Sequence, residues 1–264
     1  MLCSPALGAQ TSLSAGLTAG SAKLTDRRSE QALSGVLMLQ ATPWLSLSAL
    51  PSIVHVSDTV SGRAVTSNGL GDLSLSAAAL HSFPAAGTPA IAAAFTVVLP
   101  TGNASCGLGT GQTSVGLDVG VAASPDPKLH LSADASRSLS GLSSQSTLSA
   151  PHATSVLLGG GYDVSQNWRA DVSLGIDVGQ SDSTQALSRV LAGGATRRFG
   201  ALAVTMDGSV GLTSGSPKWV VSLGIGTAFA STSPVAPSAP LRRLKSSFTG
   251  GVNRQGGSGK IGCR

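Results

Sequence analysis

Trp168-Arg169-Ala170-Asp171-Val172-Ser173-Leu174-Gly175-Ile176-Asp177-Val178 is the stretch whose reading decides the fold. Its even-numbered residues, Trp168, Ala170, Val172, Leu174, Ile176 and Val178, are all apolar, and those between them are charged, hydroxylated or glycine. Side chains alternate faces along a β-strand, so the segment has one apolar and one polar face. Its length is that of a tilted strand crossing a bilayer, about 9–11 residues. The alternation returns at 115–121, where Val115, Leu117, Val119 and Val121 are interleaved with Gly116, Asp118 and Gly120, and again at 202–212 and 219–229. Repeated at this length, it predicts an all-β fold, a closed antiparallel transmembrane β-barrel with an apolar outside and a polar lumen.

The composition agrees. Of 264 residues 41% are apolar but only 11% are charged and 3% aromatic, and 34 are glycine. A soluble domain carries about 25% charge, whereas a barrel wall needs apolar side chains outside and small polar ones within. A disordered Ser/Gly-rich chain would not keep strict alternation. The net charge of +5 is a property of the tail: residues 231–264 hold Arg242, Arg243, Lys245, Arg254, Lys260 and Arg264 and no acid, leaving 11 bases and 12 acids before them. The folded part therefore offers no basic surface for nucleic acid.

Cys3, Cys106 and Cys263 form no CxxC pair or Cys/His cluster, so neither a zinc site nor a disulfide framework is expected, and no metal or other cofactor is assigned. Residues 1–9 read as the remnant of a signal peptide or a disordered N-terminus, 10–230 as the barrel, and 231–264 as a disordered basic Ser/Pro/Gly-rich tail. No run of 18 apolar residues suggests a helical span.

Twelve strands are expected, at roughly 11–22, 32–40, 44–56, 70–83, 89–99, 113–123, 129–138, 153–164, 168–179, 189–199, 201–213 and 218–230. The connections alternate. Those at 41–43, 84–88, 124–128, 165–167 and 200 are short, and those at 23–31, 57–69, 100–112, 139–152 and 180–188 are long. Outer-membrane barrels have short periplasmic turns and longer outside loops, so the short set marks the periplasmic end of a protein of the bacterial outer membrane. Six of the nine aromatics, Trp44, Phe83, Tyr162, Trp168, Phe199 and Phe229, fall at that end as an interfacial girdle, and Trp219 falls at the opposite rim. The last strand alternates to Phe229, like the segment by which the barrel-assembly machinery recognises its clients, although 35 residues follow it.

Three segments carry a family resemblance: Gly69-Leu70-Gly71-Asp72-Leu73-Ser74-Leu75; Leu99-Pro100-Thr101-Gly102-Asn103 leading to Leu108-Gly109-Thr110-Gly111-Gln112-Thr113; and Ser222-Leu223-Gly224-Ile225-Gly226-Thr227-Ala228-Phe229. In this order, over about residues 68–230, the chain resembles the outer-membrane transporters of the MetA-pathway of phenol degradation family. The resemblance implies an outer-membrane barrel admitting aromatic or other apolar nutrients, and it supplies no catalytic residue.

Gly107-Leu108-Gly109-Thr110-Gly111 lacks the Lys-Ser/Thr and the helix of a phosphate-binding loop, and reads as a turn at the barrel mouth. By parity Asp72, Asp118, Asp134, Asp163, Asp171, Asp177 and Asp207 are expected to point inward with Arg169, Arg189, Arg197 and His130, because Arg or Lys facing lipid at mid-depth costs about 2–4 kcal/mol. These residues either pair across strands and plug the lumen or line a polar path for a small-molecule solute. His130, Ser132 and Asp134 share a strand face but read as hydrated wall, so the chain is not taken for an enzyme. The expected partners are outer-membrane lipid, the assembly machinery and the solute. A non-conducting surface-presentation barrel and a soluble β-solenoid remain as alternatives.

Overall fold

The computed structural model describes residues 11–60, 62–139, 154–178 and 188–229, with the side chains of 138 and 139 excepted. The N-terminal segment 1–9, the tail 231–264, Cys3 and Cys263 lie outside the described residues.

Fourteen strand segments follow in chain order: β1 (Ser12–Lys23), β2 (Arg28–Thr42), β3 (Leu45–Leu50), β4 (Ser52–Val60), β5 (Arg63–Leu70), β6 (Leu73–Ser82), β7 (Ala90–Leu99), β8 (Ser114–Asp126), β9 (Leu129–Leu139), β10 (Thr154–Asp163), β11 (Trp168–Val178), β12 (Arg189–Phe199), β13 (Leu202–Gly211) and β14 (Trp219–Gly226). All neighbours are antiparallel, and β1 pairs with β14 on one side and β2 on the other, which closes the sheet. Closure gives every wall strand two partners, the condition for backbone to lie in lipid.

The wall has twelve strands, because two of them are interrupted. β2 pairs with β3 near its end and with β4 near its start, so β3 and β4 are one strand broken at Pro51. Proline has no N–H for the ladder, and its carbonyl accepts from Gly35 N–H at 2.9 Å. β5 and β6 are likewise one strand broken at Gly71 and Asp72. A Cβ at Gly71 would meet Val54 Cγ2 at 2.9 Å and the Ser52 hydroxyl, so only glycine fits this bend.

Residues 57–60 and 63–69, expected as parts of a loop, are instead strand: β4 and β5 pair in register from Ile53↔Leu70 to Val60↔Arg63. Their Ser, Asp, Arg and Asn content reads as a loop, yet this hairpin rises beyond the end of β7 at Leu99, where polar side chains are tolerated on both faces. The short connections hold. That between β12 and β13 is a two-residue hairpin in which Gly200 takes φ 65°, a value such turns require and glycine adopts without strain.

Burial is inside-out. Leu13, Leu17, Leu117, Val119, Val172, Met206, Leu223 and Ile225 are exposed on the outer face, while Thr18, Ser173, Thr205, Asp207, Ser209 and Ser222 are buried on the inner one. Met206 is 64% exposed and its neighbour Asp207 3%. An outer face of this kind is stable only against hydrocarbon.

Candidate functional site

The lumen is built in two zones. At the end with the longer loops, inward-facing Ala22 (β1), Ala32 (β2), Val54 and Val56 (β4), Leu157 (β10), Ala192 (β12) and Val220 (β14) pack into one apolar cluster with Cys106 and Leu108. β10 and β12 lie across the ring from β4, so the cluster bridges the lumen. Its centre comes from residues 100–113, which fold inward between β7 and β8 instead of lying outside.

Asp72 holds that loop. It is fully buried at the β5/β6 break, and its Oδ1 accepts from Gly102 N–H at 3.1 Å. Its Oδ2 accepts from Thr110 N–H at 2.7 Å and from the Thr110 hydroxyl at 2.8 Å. A Cβ at Gly102 would meet Leu108 O at 2.5 Å, so the two arms of the loop touch. At the tip, Arg28 donates to Gly107 O at 3.1 Å and lies 3.9 Å from Glu30. The glycine-rich motif is thus a folded plug, with residues Ala104–Cys106 in a 3-10 turn capped by Asn103. Cys106, for which no disulfide was expected, is disulfide-bonded.

Nearer the short turns the interior is polar. His130 Nε2 meets Asp163 Oδ2 at 2.9 Å and its Nδ1 meets Ser124 Oγ at 2.8 Å. The imidazole therefore bridges Ser124 and Asp163, not the Ser132 and Asp134 that share its strand face. The ring nitrogens are used in the opposite sense to a serine hydrolase, where Nε2 engages the serine. Arg169 Nε donates to Asp171 at 2.7 Å, both side chains being nearly buried, and Asp163 is the cross-strand neighbour of Arg169. Gly161 gives the pair room: a Cβ there would lie 2.8 Å from Arg169 Nε.

Asp72, Asp118, His130, Asp134, Asp163, Arg169, Asp171, Asp177 and Asp207 all face inside. Asp171 and Asp207 flank Gly194 in one row, but Asp72 stands at the loop end and Asp163 at the turn end, so the acids do not form a single ring. Arg189 and Arg197 face outward, contrary to expectation, and are exposed alongside Leu191 and Phe199. Arg197 lies 5.2 Å from the Trp168 ring centre and 4.7 Å from that of Phe199. The mid-depth penalty does not apply to them, because both sit at strand ends, where it falls to about 0–1 kcal/mol. Arg198 is the inward arginine of that strand.

The girdle residues Trp44, Phe83, Tyr162, Trp168 and Phe199 are exposed at the short-turn end, and Trp219 is exposed at the other rim. Phe229 departs from this set. β14 stops at Gly226, Thr227–Phe229 is a 3-10 turn, and the Phe229 ring folds over inward-facing Gly16 and Gly224, 2.7 Å and 3.2 Å from the Cβ each would carry.

A closed twelve-stranded barrel, apolar outside and plugged by its own loop, is an outer-membrane β-barrel. The family model described as "Putative MetA-pathway of phenol degradation" matches residues 37–201, more than half of the chain, and the chain belongs to that family. The match starts and ends earlier than the segments that carried the resemblance in sequence. No curated protein matches in sequence. The COG4313 outer membrane channel from Pseudomonas putida F1 superposes with a TM-score of 0.62 at 19% identity, over 83% of this chain and 94% of that one. For the NanC porin the TM-score is 0.50 at 9% identity, over 80% and 97%. The CymD monoaromatic hydrocarbon channel gives 0.45 at 12%, over 82% and 87%. For the first two of these, at such identities, the likeness is one of fold.

Proposed function

We propose that the chain carries small apolar or weakly polar molecules, aromatic compounds among them, across the bacterial outer membrane through its lumen, as a conduit and not as an enzyme. The observation that carries this reading is the apolar cluster across the mouth. A constriction lined by Val54, Val56, Leu108, Leu157 and Val220 disfavours water and hydrated ions, while an apolar solute exchanges one apolar contact for another. The phenol-degradation family to which the chain belongs supports the same class of cargo. The buried inner wall also favours a non-conducting barrel as the second reading.

The test is Leu157→Asp, which places a charge in the constriction without touching the Asp72 latch. In proteoliposomes, uptake of a neutral aromatic should fall several-fold relative to wild type while ion conductance rises. Equal aromatic uptake by wild type and empty vesicles would establish the non-conducting reading.

A further inference from the structure

The outward charges of the wall are mostly basic. Glu30, Asp118, Asp134, Asp163, Asp171, Asp177 and Asp207 turn inward, whereas the charged strand residues that turn outward among those described are four bases, Lys23, Arg137, Arg189 and Arg197, and one acid, Asp126, beside a short turn at the opposite end from the loops. Three of the four bases, Lys23, Arg137 and Arg189, stand at or near the long-loop ends of their strands. Two of the three belong to one continuous patch of rim. Lys23 pairs directly with Trp219, Trp219 pairs with Val210, and Leu212, two residues further on, donates its N–H to Arg189 O at 2.8 Å. The rim across β12, β13, β14 and β1 therefore reads Arg189, Leu212, Trp219, Lys23, with two cations flanking an exposed leucine and an exposed indole.

Lys218 adds a third cation next to Lys23, its N–H bonded to Lys23 O at 2.8 Å. The local acid is Asp26, which the Lys218 ammonium holds below the ordinary carboxylate value by a hydrogen bond and by its charge, Lys23 adding to this. Among the described residues, one acid stands against Lys23, Lys218, Arg189 and the exposed Arg27, which leaves the described patch positive.

We infer that this rim patch binds the phosphorylated glycolipid of the outer leaflet, with Arg189 and Lys23 on lipid A phosphate and Leu212 and Trp219 against the upper part of its acyl chains. The chemistry fits level by level. Guanidinium and ammonium groups are phosphate donors, an indole at a strand end sits at the headgroup boundary, and the wall below, Leu191, Val210, Val221 and Leu223, is exposed and apolar. Arg197 has a different setting, stacked on Trp168 and Phe199 at the periplasmic end, and serves as the control. This site is independent of which solute the lumen admits.

The experiment compares full-length wild type, Lys23→Gln/Arg189→Gln and Arg197→Gln, extracted from outer membranes in mild detergent, by the bis-phosphorylated lipid A that remains bound in native mass spectrometry. Wild type and Arg197→Gln should retain it, and the double variant should lose at least about tenfold. Re-addition of lipid A should restore the wild-type thermal midpoint and leave the double variant unmoved, and inorganic phosphate should not substitute. Equal retention by the double variant, equal loss by Arg197→Gln, or full displacement by inorganic phosphate would each overturn the assignment. An extracted band migrating faster unheated than boiled shows that each variant is a closed barrel.

Discussion

Asp72→Asn tests whether the loop across the mouth is held by one carboxylate. The carboxylate accepts three hydrogen bonds, one at Oδ1 and two at Oδ2, in a fully buried position. Asparagine keeps one oxygen and turns an NH2 toward donors on the other side, so one or two charge-assisted bonds are lost. At about 1.5–3 kcal/mol for a hydrogen bond to a charged group, the docked loop loses roughly 2–4 kcal/mol. With about 1.4 kcal/mol per factor of ten, the undocked population rises roughly thirty- to several-hundred-fold. The readout is amide hydrogen exchange over residues 103–109, where the N–H groups of Cys106 and Leu108 bond to Asn103 O and lie away from the mutated side chain. Exchange there should accelerate by that factor, and ion conductance should rise as Leu108 leaves the apolar cluster. Unchanged exchange over 103–109 together with unchanged conductance would refute the latch.

Four further outcomes follow from the wall. Arg169→Ala breaks the buried ion pair with Asp171 and should cost about 3–5 kcal/mol in urea unfolding from vesicles, whereas Arg169→Leu/Asp171→Leu should cost far less. Gly16→Ala drives a Cβ into the Phe229 ring and should cost about 1–3 kcal/mol, recovered in part by adding Phe229→Ala; strict additivity would mean that the ring does not lie there. Met206→Arg, on the lipid face, should destabilise by about 2–4 kcal/mol. Arg197→Ala, stacked on two rings at the interface, should cost only about 0.5–2 kcal/mol, and a cost as large as that of Met206→Arg would place Arg197 at the wrong depth.

The wall was legible because strand parity is redundant: an eleven-residue repeat such as Trp168–Val178 fixes both the face and the length of its strand. Parity also held the answer for Arg197. It shares a face with Phe199, which the girdle already placed outside, but the mid-depth penalty was applied to a residue at a strand end. The β4/β5 hairpin was hidden because beyond the membrane the apolar half of the alternation disappears. Leu157 was hidden by Leu158: two adjacent leucines leave open which one turns inward. The plug depends on contacts from β5/β6 to the 100–113 loop that no local pattern encodes. Asp72 was named among the inward acids, yet nothing in its neighbourhood distinguishes a latch for a loop from a residue lining a path. The turn of Phe229 onto Gly16 likewise rests on a partner more than two hundred residues away.

The central claim is that a transmembrane barrel closed at its mouth by an apolar cluster selects for apolar cargo. Its most direct test is the permeability of vesicles containing the wild-type protein to two neutral solutes of matched size, an alkylbenzene-type aromatic released from an aqueous carrier and a small sugar alcohol, each corrected for empty vesicles. Protein-dependent entry of the aromatic should lie well above that of the polyol, with Leu157→Asp narrowing the ratio. A protein-dependent ratio near one, or in favour of the polyol, would contradict it.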